Sequence, residues 1–306
     1  MIPGPAVSVV IPTYNYGPLV GEAVASVLAQ TRPAAEVIVV DDGSTDDTPA
    51  RLAEFGDRIR VIRQANAGLS AARNAGITAS AGEYVALLDS DDAFHPRKLE
   101  RQVEYLAAHP AVGLCGTASF SDPGRMWPVV DGVPAGRRMT RDELVLKAWF
   151  SPSSALFRRA VVDAVGLFDT ELKSVEDRDY WIRASARFGV AKLADPLTFY
   201  RIQPGSMSRN PERMEAAERQ VLAKAFAAPD LRGRWAFRRR VCGLAAYSAA
   251  YMYLAAGRPG AGLRRAAASF GWWPLWYRTS EVNVPFGRVR LLAACARRSV
   301  GGRREP

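Results

Sequence analysis

Leu88-Asp89-Ser90-Asp91-Asp92 sets three carboxylates within four residues at the end of an apolar run of this 306-residue chain. Asp89 and Asp91 are two apart, so on an extended strand both carboxylates point to the same side. Like charges that close are costly without a cation between them, and hard oxygen ligands suit Mg2+ or Mn2+. A calcium loop fits poorly. Glu100 stands twelfth from Asp89, but Ala93 and Phe94 fill the fifth and sixth places, where a ligand and a glycine are needed. The plain alternative is that the acids cap a helix expected from Pro96, a task for one Asp rather than three.

Other polar clusters follow the same logic. Pro12-Thr13-Tyr14-Asn15 and Asp41-Asp42-Gly43-Ser44 each end an apolar run. An acid in such a place can accept hydrogen bonds from a ribose hydroxyl or a base N–H; an Asx turn with glycine at positive φ is the structural alternative. Arg73, in Gly68-Leu69-Ser70-Ala71-Ala72-Arg73-Asn74, falls on the second turn of an expected helix. Turned inward it would pair with a phosphate, and turned outward it would be solvated. Glu176-Asp177-Arg178-Asp179-Tyr180-Trp181 opens another expected helix. Acids in a first turn suit the helix dipole; the functional reading is a general base near the metal site. No G-x-G-x-x-G follows the first strand and no G-x-x-x-x-G-K-[ST] occurs, so neither a dinucleotide fold nor a P-loop is indicated.

The elements that must position these groups alternate. Strands are expected at Val7 to Ile11, Glu36 to Val40, Ile59 to Ile62 and Tyr84 to Leu88. Between them lie helices at Val20 to Ala29, with Val20, Val24, Val27 and Leu28 on one face, near Pro49 with Thr48 as cap, at Gly68 to Ala79 and from Pro96. Continuous apolar strands between amphipathic helices predict a doubly wound, parallel α/β sheet, whose ligands bind outside the carboxyl ends of the strands. Further on, a strand at Val112 to Ala118, a Pro/Gly-rich loop to Gly136, helices at Arg141 to Phe150 and Glu176 to Phe188, and a strand at Leu197 to Ile202 are expected. Helices fill the rest, interrupted at Gly257-Arg258-Pro259-Gly260 and Trp272-Trp273-Pro274.

Charge is unevenly spread. Residues 231 to 306 hold 15 Arg, no Lys, and only Glu281 and Glu305, leaving 26 basic and 29 acidic groups elsewhere. The formal charge of +10 therefore belongs to a tail, and the body is mildly acidic. With 48% apolar and 24% charged residues the chain is globular rather than disordered or fibrous. Cys115, Cys242 and Cys295 are too scattered for a disulfide frame and read as core residues in a reducing compartment; two histidines exclude a His-rich zinc site. No secretory signal is expected at Met1 to Ala6. The uncharged run Val241 to Gly257 is shorter than a membrane span and reads as a buried helix. Arg238-Arg239-Arg240, Arg264-Arg265, Arg297-Arg298 and Arg303-Arg304, with Trp272, Trp273, Trp276 and Tyr277 among them, have the composition of a surface that lies on an anionic membrane. The alternative is a helical extension packed on the body. No nucleic-acid motif accompanies the charge, and no nucleic-acid partner is expected.

Taken in order, Val7 to Asn15, Val39 to Asp46, Asn66 to Asn74, Leu88 to Asp92 and Glu176-Asp177 resemble the ordered blocks of the family 2 glycosyltransferases, over roughly residues 6 to 210. That resemblance implies a GT-A fold, a Rossmann-like, mostly parallel sheet with helices on both faces, here followed by a helical, basic C-terminal extension. It divides the chain into a nucleotide-sugar-binding half at 1–115, an acceptor-binding half with the catalytic base at 116–210, and the extension at 211–306. It also implies a nucleotide-diphosphate sugar donor, often a UDP-sugar, a Mn2+ or Mg2+ ion, inversion at the anomeric carbon, and a glycan or lipid-linked acceptor. By position, Pro12, Thr13, Tyr14 and Asn15 would line the base pocket and Asp41 or Asp42 would bond base or ribose. Arg73 and Ser90 would support the nucleotide. Asp91 would hold the metal, with Asp89 towards ribose and metal; Asp177 would be the base and Glu176 would contact the acceptor or the base's surroundings. Gln203 stands where many relatives place a His, so the loop would offer the metal or diphosphate only a neutral amide. The implied location is cytoplasmic, at the inner face of the membrane if the tail binds it. Transfer to a polyprenyl phosphate, which needs no base, a non-catalytic nucleotide-sugar-binding module and a nucleotidyltransferase are the competing readings; the last lacks its Gly-rich phosphate loop.

Overall fold

A computed structural model describes residues 5–121, 127, 130–203, 209–282 and 286–301. Residues 204–208 of the loop after Gln203, 122–126 and 128–129 of the Pro/Gly-rich stretch, the first four residues and the Arg303-Arg304 cluster lie outside the described residues.

In chain order the first half runs β1 (Val7–Thr13), α1 (Gly17–Leu28), β2 (Glu36–Asp41), α2 (Thr48–Ala53), β3 (Arg60–Arg63), α3 (Leu69–Ala79) and β4 (Tyr84–Leu87). Then come β5 (Ala93–Phe94), α4 (Lys98–Ala108), β6 (Val112–Phe120), β7 (Gly136–Met139), α5 (Arg141–Leu146), β8 (Leu156–Arg158), α6 (Arg159–Val165), α7 (Glu176–Ala184) and β9 (Gly189–Phe199). The C-terminal helices are α8 (Pro211–Ala227), α9 (Trp235–Ala255), α10 (Pro259–Trp272), α11 (Thr279–Val282) and α12 (Gly287–Gly301). The chain divides into two compact units, Met1–Arg141 with Trp149–Ile202, and Asp142–Ala148 with Gln203–Pro306.

The first unit is built on a nine-stranded sheet in the order β3-β2-β1-β4-β8-β6-β9-β5, with β7 on β9. β3, β2, β1 and β4 run parallel to one another, as continuous apolar strands require. All seven residues of β1 and all four of β4 are buried. Period-two alternation splits β2: Val37 and Val39 join the cluster that includes Val20, Val24, Leu99 and Leu106, so α1 and α4 cover that face. Ile38 and Val40 meet Ala72 of α3 on the other. Gly76 lets α3 lie close: a Cβ there would come 2.3 Å from Val10 Cγ1.

Beyond β4 the sheet is mixed, because β8 enters antiparallel between β4 and β6. β7 and β8 have four and three residues, too short for a readable period, and neither is expected from the sequence. β9 begins eight residues before the expected Leu197, and β3 is an exposed edge strand rather than a covered one. Two local expectations are corrected. Leu28 leaves the buried face of α1 at 38% exposed. Thr48 is inside α2, not its cap, because its hydroxyl accepts the N–H of Tyr16 at 3.1 Å.

In the second unit α9, α10 and α12 share a small core of Ala250, Ala266, Leu291 and Cys295. Cys115 and Cys295 are buried and all three cysteines are free. Several arginines of the basic segment are structural: Arg234 forms a two-pronged pair with Asp142 at 2.6 and 2.7 Å, and Arg265 meets Glu215 at 2.9 Å. Among the described residues no helix is long and apolar enough to cross a membrane.

Candidate active site

The carboxyl ends of β1, β2 and β4, which lie side by side, carry the polar clusters. Asn15 takes the left-handed conformation at φ 56°, which its short polar side chain tolerates, and couples the first two loops. Its N–H donates to Ser44 Oγ at 2.9 Å and its Oδ1 accepts from the Thr45 N–H at 2.8 Å. Asp41 accepts from the Ser44 N–H at 2.8 Å and pairs with Arg63. Asp42 accepts from Gln64 Nε2 and from the N–H groups of Ala67 and Gly68, at 2.8, 2.9 and 2.8 Å. A carboxylate offers about four acceptor sites, so Asp42 has committed most of its capacity to fixing the entry to α3. Gly43 at φ 83° makes that turn, and a Cβ on it would sit 3.0 Å from Asn66 N. Tyr14 is exposed, Pro12 and Thr13 are buried, and Thr13 Oγ1 has no hydrogen-bond partner. An orphaned hydroxyl at the end of β1 is what a ligand edge would satisfy.

The acidic cluster differs from its strand-based expectation. β4 stops at Leu87, and the N–H of Asp92 donates to the carbonyl of Asp89 at 3.0 Å, so the segment is a turn and period-two alternation no longer governs it. The three acids then separate. Asp92 is buried, accepting from Ser153 Oγ at 2.5 Å and from the Arg201 N–H at 2.9 Å. Burial, reinforced by the charge of Asp89, pushes its carboxyl up to about 8. Asp89 bonds Arg73 Nη2 through Oδ1 at 2.6 Å, and its N–H donates to Ser153 Oγ at 3.1 Å. Asp91 is partly exposed, and its carbonyl accepts from Arg201 Nε at 2.9 Å. Ser90 is buried between them.

Arg73 turns inward, and its partners are carboxylates of the protein. It is 1% exposed, with Nη2 on Asp89 and Nη1 on Glu176, and its guanidinium lies 5.7 Å over the Phe168 ring. Burial opposes its charge, but Asp89 and then Glu176 overcome that, and the guanidinium is held above its already high value. Asn74 completes the clamp: its side chain donates to the carbonyl of Phe168 at 2.8 Å and accepts that residue's N–H at 2.9 Å. Consecutive residues of α3 thus hold two parts of the segment that leads into α7.

At the start of α7, Val175 sits at φ 61°, where a β-branched residue is strained by roughly 1–3 kcal/mol. The strain falls immediately before Glu176 and Asp177. Asp177 is half-buried and accepts the Arg178 N–H at 2.7 Å. Burial first, then the adjacent charge of Glu176, pushes its carboxyl up to about 7. A carboxylate so tuned is a stronger base than an ordinary Asp while remaining ionised near neutrality.

Several contributors carry no distinguishing sequence signal. Tyr16, whose hydroxyl is raised by burial and then by Asp91, Asp89 and Asp92, faces the acidic turn. Ser153 bridges Asp89 and Asp92 from a segment about sixty residues away. Arg201 anchors Asp91 and Asp92 by backbone contacts and meets Glu22 at 2.5 Å.

Asp91 and Asp89 are hard carboxylate donors and fit a Mn2+ or Mg2+ ion. Among the described residues no group of three or more His, Cys, Asp or Glu is arranged to hold one alone. Such an ion would take its other ligands from phosphate oxygens and water.

The glycosyl transferase family 2 profile matches residues 8–166, more than half of the chain. The chain belongs to that family. It is 37% identical over 208 residues to an uncharacterized glycosyltransferase of Nostoc sp., covering 64% of each chain. To EpsJ, an uncharacterized glycosyltransferase of Bacillus subtilis, it is 31% identical over 238 residues, 72% of this chain and 69% of the relative. The chain thus spans less than two thirds of the Nostoc relative's length. Among solved structures it resembles S. aureus TarS in complex with UDP-GlcNAc, at a TM-score of 0.58 and 20% identity over 89% of this chain and 93% of TarS. It also resembles the mannosyltransferase PcManGT from Pyrobaculum calidifontis in complex with GDP-Man and Mn2+, at 0.59 and 24% over 97% and 88%. These likenesses establish the GT-A fold, with its mostly parallel sheet and C-terminal helices.

Proposed function

We propose that this chain is an inverting glycosyltransferase that moves a sugar from a nucleotide-diphosphate donor, a UDP-sugar, to a hydroxyl of a glycan or lipid-linked acceptor. The observation that carries the reading is the joining of Asp89, Arg73 and Glu176 into one buried ion network beside Asp177, whose carboxyl is pushed up to about 7. Residues more than eighty positions apart are held together there, which a lone capping acid would not require.

The residues then take roles. Thr13 Oγ1 and the Tyr14 ring would meet the nucleobase, with Asn15 and Asp41 shaping the pocket and Asp42 fixing its far wall. Ser90 and Asp89 would face the ribose and diphosphate. Asp91, with Asp89, would hold Mn2+ or Mg2+. That ion supplies Lewis-acid stabilisation of charge on the departing diphosphate. Asp177 takes the proton of the acceptor hydroxyl as that oxygen attacks the anomeric carbon from the face opposite the leaving group. One displacement inverts the configuration. Arg73 and Glu176 position the network: Arg73 holds the Asp89 carboxylate in place, and Glu176, bound to Arg73, keeps the first turn of α7 against α3.

The donor class is supported by the UDP-GlcNAc and GDP-Man bound to the structural neighbours, and the metal by the Mn2+ of one of them. Cytoplasmic placement beside an anionic membrane, through residues 231–306, is the accompanying proposal, supported by their excess of arginine. Titration of the protein with UDP, with and without Mn2+, tests the site. Binding should require Mn2+ and be lost in Asp91→Ala; metal-independent binding would sink the assigned role of Asp91. A screen of nucleotide sugars for donor hydrolysis then identifies the sugar.

A further inference from the structure

Buried charge in the C-terminal unit points to a second site. Arg288, in the first turn of α12, is 4% exposed. Its Nη1 donates to the carbonyl of Leu275 at 2.9 Å, and its guanidinium lies 3.9 Å over the Phe270 ring and 5.1 Å over Tyr277. Its Nε and Nη2 are buried with no hydrogen-bond partner. Among the described residues no carboxylate pairs with it. Glu281, the one acid of this segment in the described chain, is held by Arg240 and by the Arg278 N–H. The Tyr277 hydroxyl is likewise committed, donating to the carbonyl of Arg240. A buried guanidinium with two unmet donor nitrogens and no counter-charge is costly unless an anion completes it.

The surroundings specify the anion. Arg288 lines a recess with Trp276, Tyr277, Val282, Phe286 and Gly287. That places the recess at the amino end of a 15-residue helix, whose leading N–H groups and dipole favour negative charge. Planar, paired donors suit phosphate oxygens. The rim is apolar and open: Trp276 is 66% exposed and Phe286 63%, their rings 5.5 Å apart. Leu275, Trp272 and Val289 are exposed nearby in sequence. A soluble phosphate does not call for large rings in water, but a phosphate at a hydrocarbon boundary does.

We propose that the recess over Arg288 takes the headgroup phosphate of an anionic lipid, with Trp276 and Phe286 entering the interface around it. This rests on the membrane reading above and gives it a defined site. Generic attraction would spread the effect over every exposed arginine of the segment, whereas a site concentrates it on one buried residue.

The test is sedimentation of the full chain with vesicles of phosphatidylcholine alone and with a quarter phosphatidylglycerol. The wild type should bind the anionic vesicles. Arg288→Gln should weaken that binding by about tenfold, and Arg297→Gln, which removes one exposed charge, by about fivefold or less. Because Arg288 is buried, the exposed-rim variant Trp276→Ser/Phe286→Ser, with unchanged circular dichroism, provides a second reading and should lose binding similarly. Equal losses in Arg288→Gln and Arg297→Gln would overturn the site and leave the membrane reading standing. No binding by the wild type would overturn both. Thermal stabilisation by inorganic phosphate at matched ionic strength, lost in Arg288→Gln and unaccompanied by vesicle binding, would overturn the lipid source in favour of a soluble phosphate.

Discussion

Arg73 and Arg288 are both almost fully buried, and the two units treat them in opposite ways. Arg73 has two carboxylates, one on each terminal nitrogen, and its charge is offset by residues drawn from the turn after β4 and from α7. Arg288 has a carbonyl, two aromatic faces and two unmet donors. A buried ion pair seldom stabilises a fold relative to an apolar substitute, yet removing one partner is strongly destabilising. The first arrangement is therefore a device for holding acids in place. The second is a buried charge with no counter-charge, whose unmet donors call for an anion. Burial alone does not separate structural from functional arginines; the inventory of partners does.

Arg73→Met should cost about 3–5 kcal/mol, because Asp89 and Glu176 would be left with no counter-charge. Chemical unfolding measures it, and a loss under about 1 kcal/mol would show that the network is not what holds α7 against α3. Lys98 supplies an intermediate case. It is fully buried, with one hydrogen bond to Gln102 at 2.8 Å and the Phe94 ring 3.9 Å away, and burial pulls its amine down to about 7. Between about pH 7 and 10.5 the unfolded chain binds the extra proton, so stability should rise with pH across that window. Lys98→Met should flatten the rise and raise stability near neutrality; a variant with the wild-type pH slope would remove Lys98 as its cause. A smaller effect is expected at Val175. Val175→Gly should release about 1 kcal/mol of left-handed strain while lowering activity, if that strain aims Asp177. Arg288→Met should leave stability level or slightly raised, opposite in sign to Arg73→Met. A loss like that of Arg73→Met would mean that Arg288 is structural.

Much of the first unit was legible in the chain. Uninterrupted apolar runs such as Val7 to Ile11 and Tyr84 to Leu87 can be buried only between two layers of helices, and the polar residues that follow them mark the ligand edge. β8 was not legible, because three residues have no measurable period and its place between β4 and β6 is a tertiary choice. The role of Arg73 lay half-visible. Its inward orientation was one of two readings, but its partners come from positions 89 and 176, and no local pattern joins them. Arg288 was hidden among 15 arginines of one segment, since spacing does not reveal which of them lacks a partner. The fate of Asp92, accepting from Ser153 and Arg201, depended on a strand ending one residue earlier than its apolar run suggests.

On the proposed reading Asp177 is a base tuned by burial and held beside the Arg73 network. The direct measurement is the rate of sugar transfer to a hydroxyl acceptor by Asp177→Asn, alongside the wild-type pH profile. The rate should fall by about 10²–10⁴ with UDP affinity retained, and wild-type kcat/KM should decline tenfold per pH unit below about 7 as Asp177 takes up its proton. Transfer by Asp177→Asn at the wild-type rate would remove Asp177 as the base, and would point to an acceptor already ionised, such as a polyprenyl phosphate.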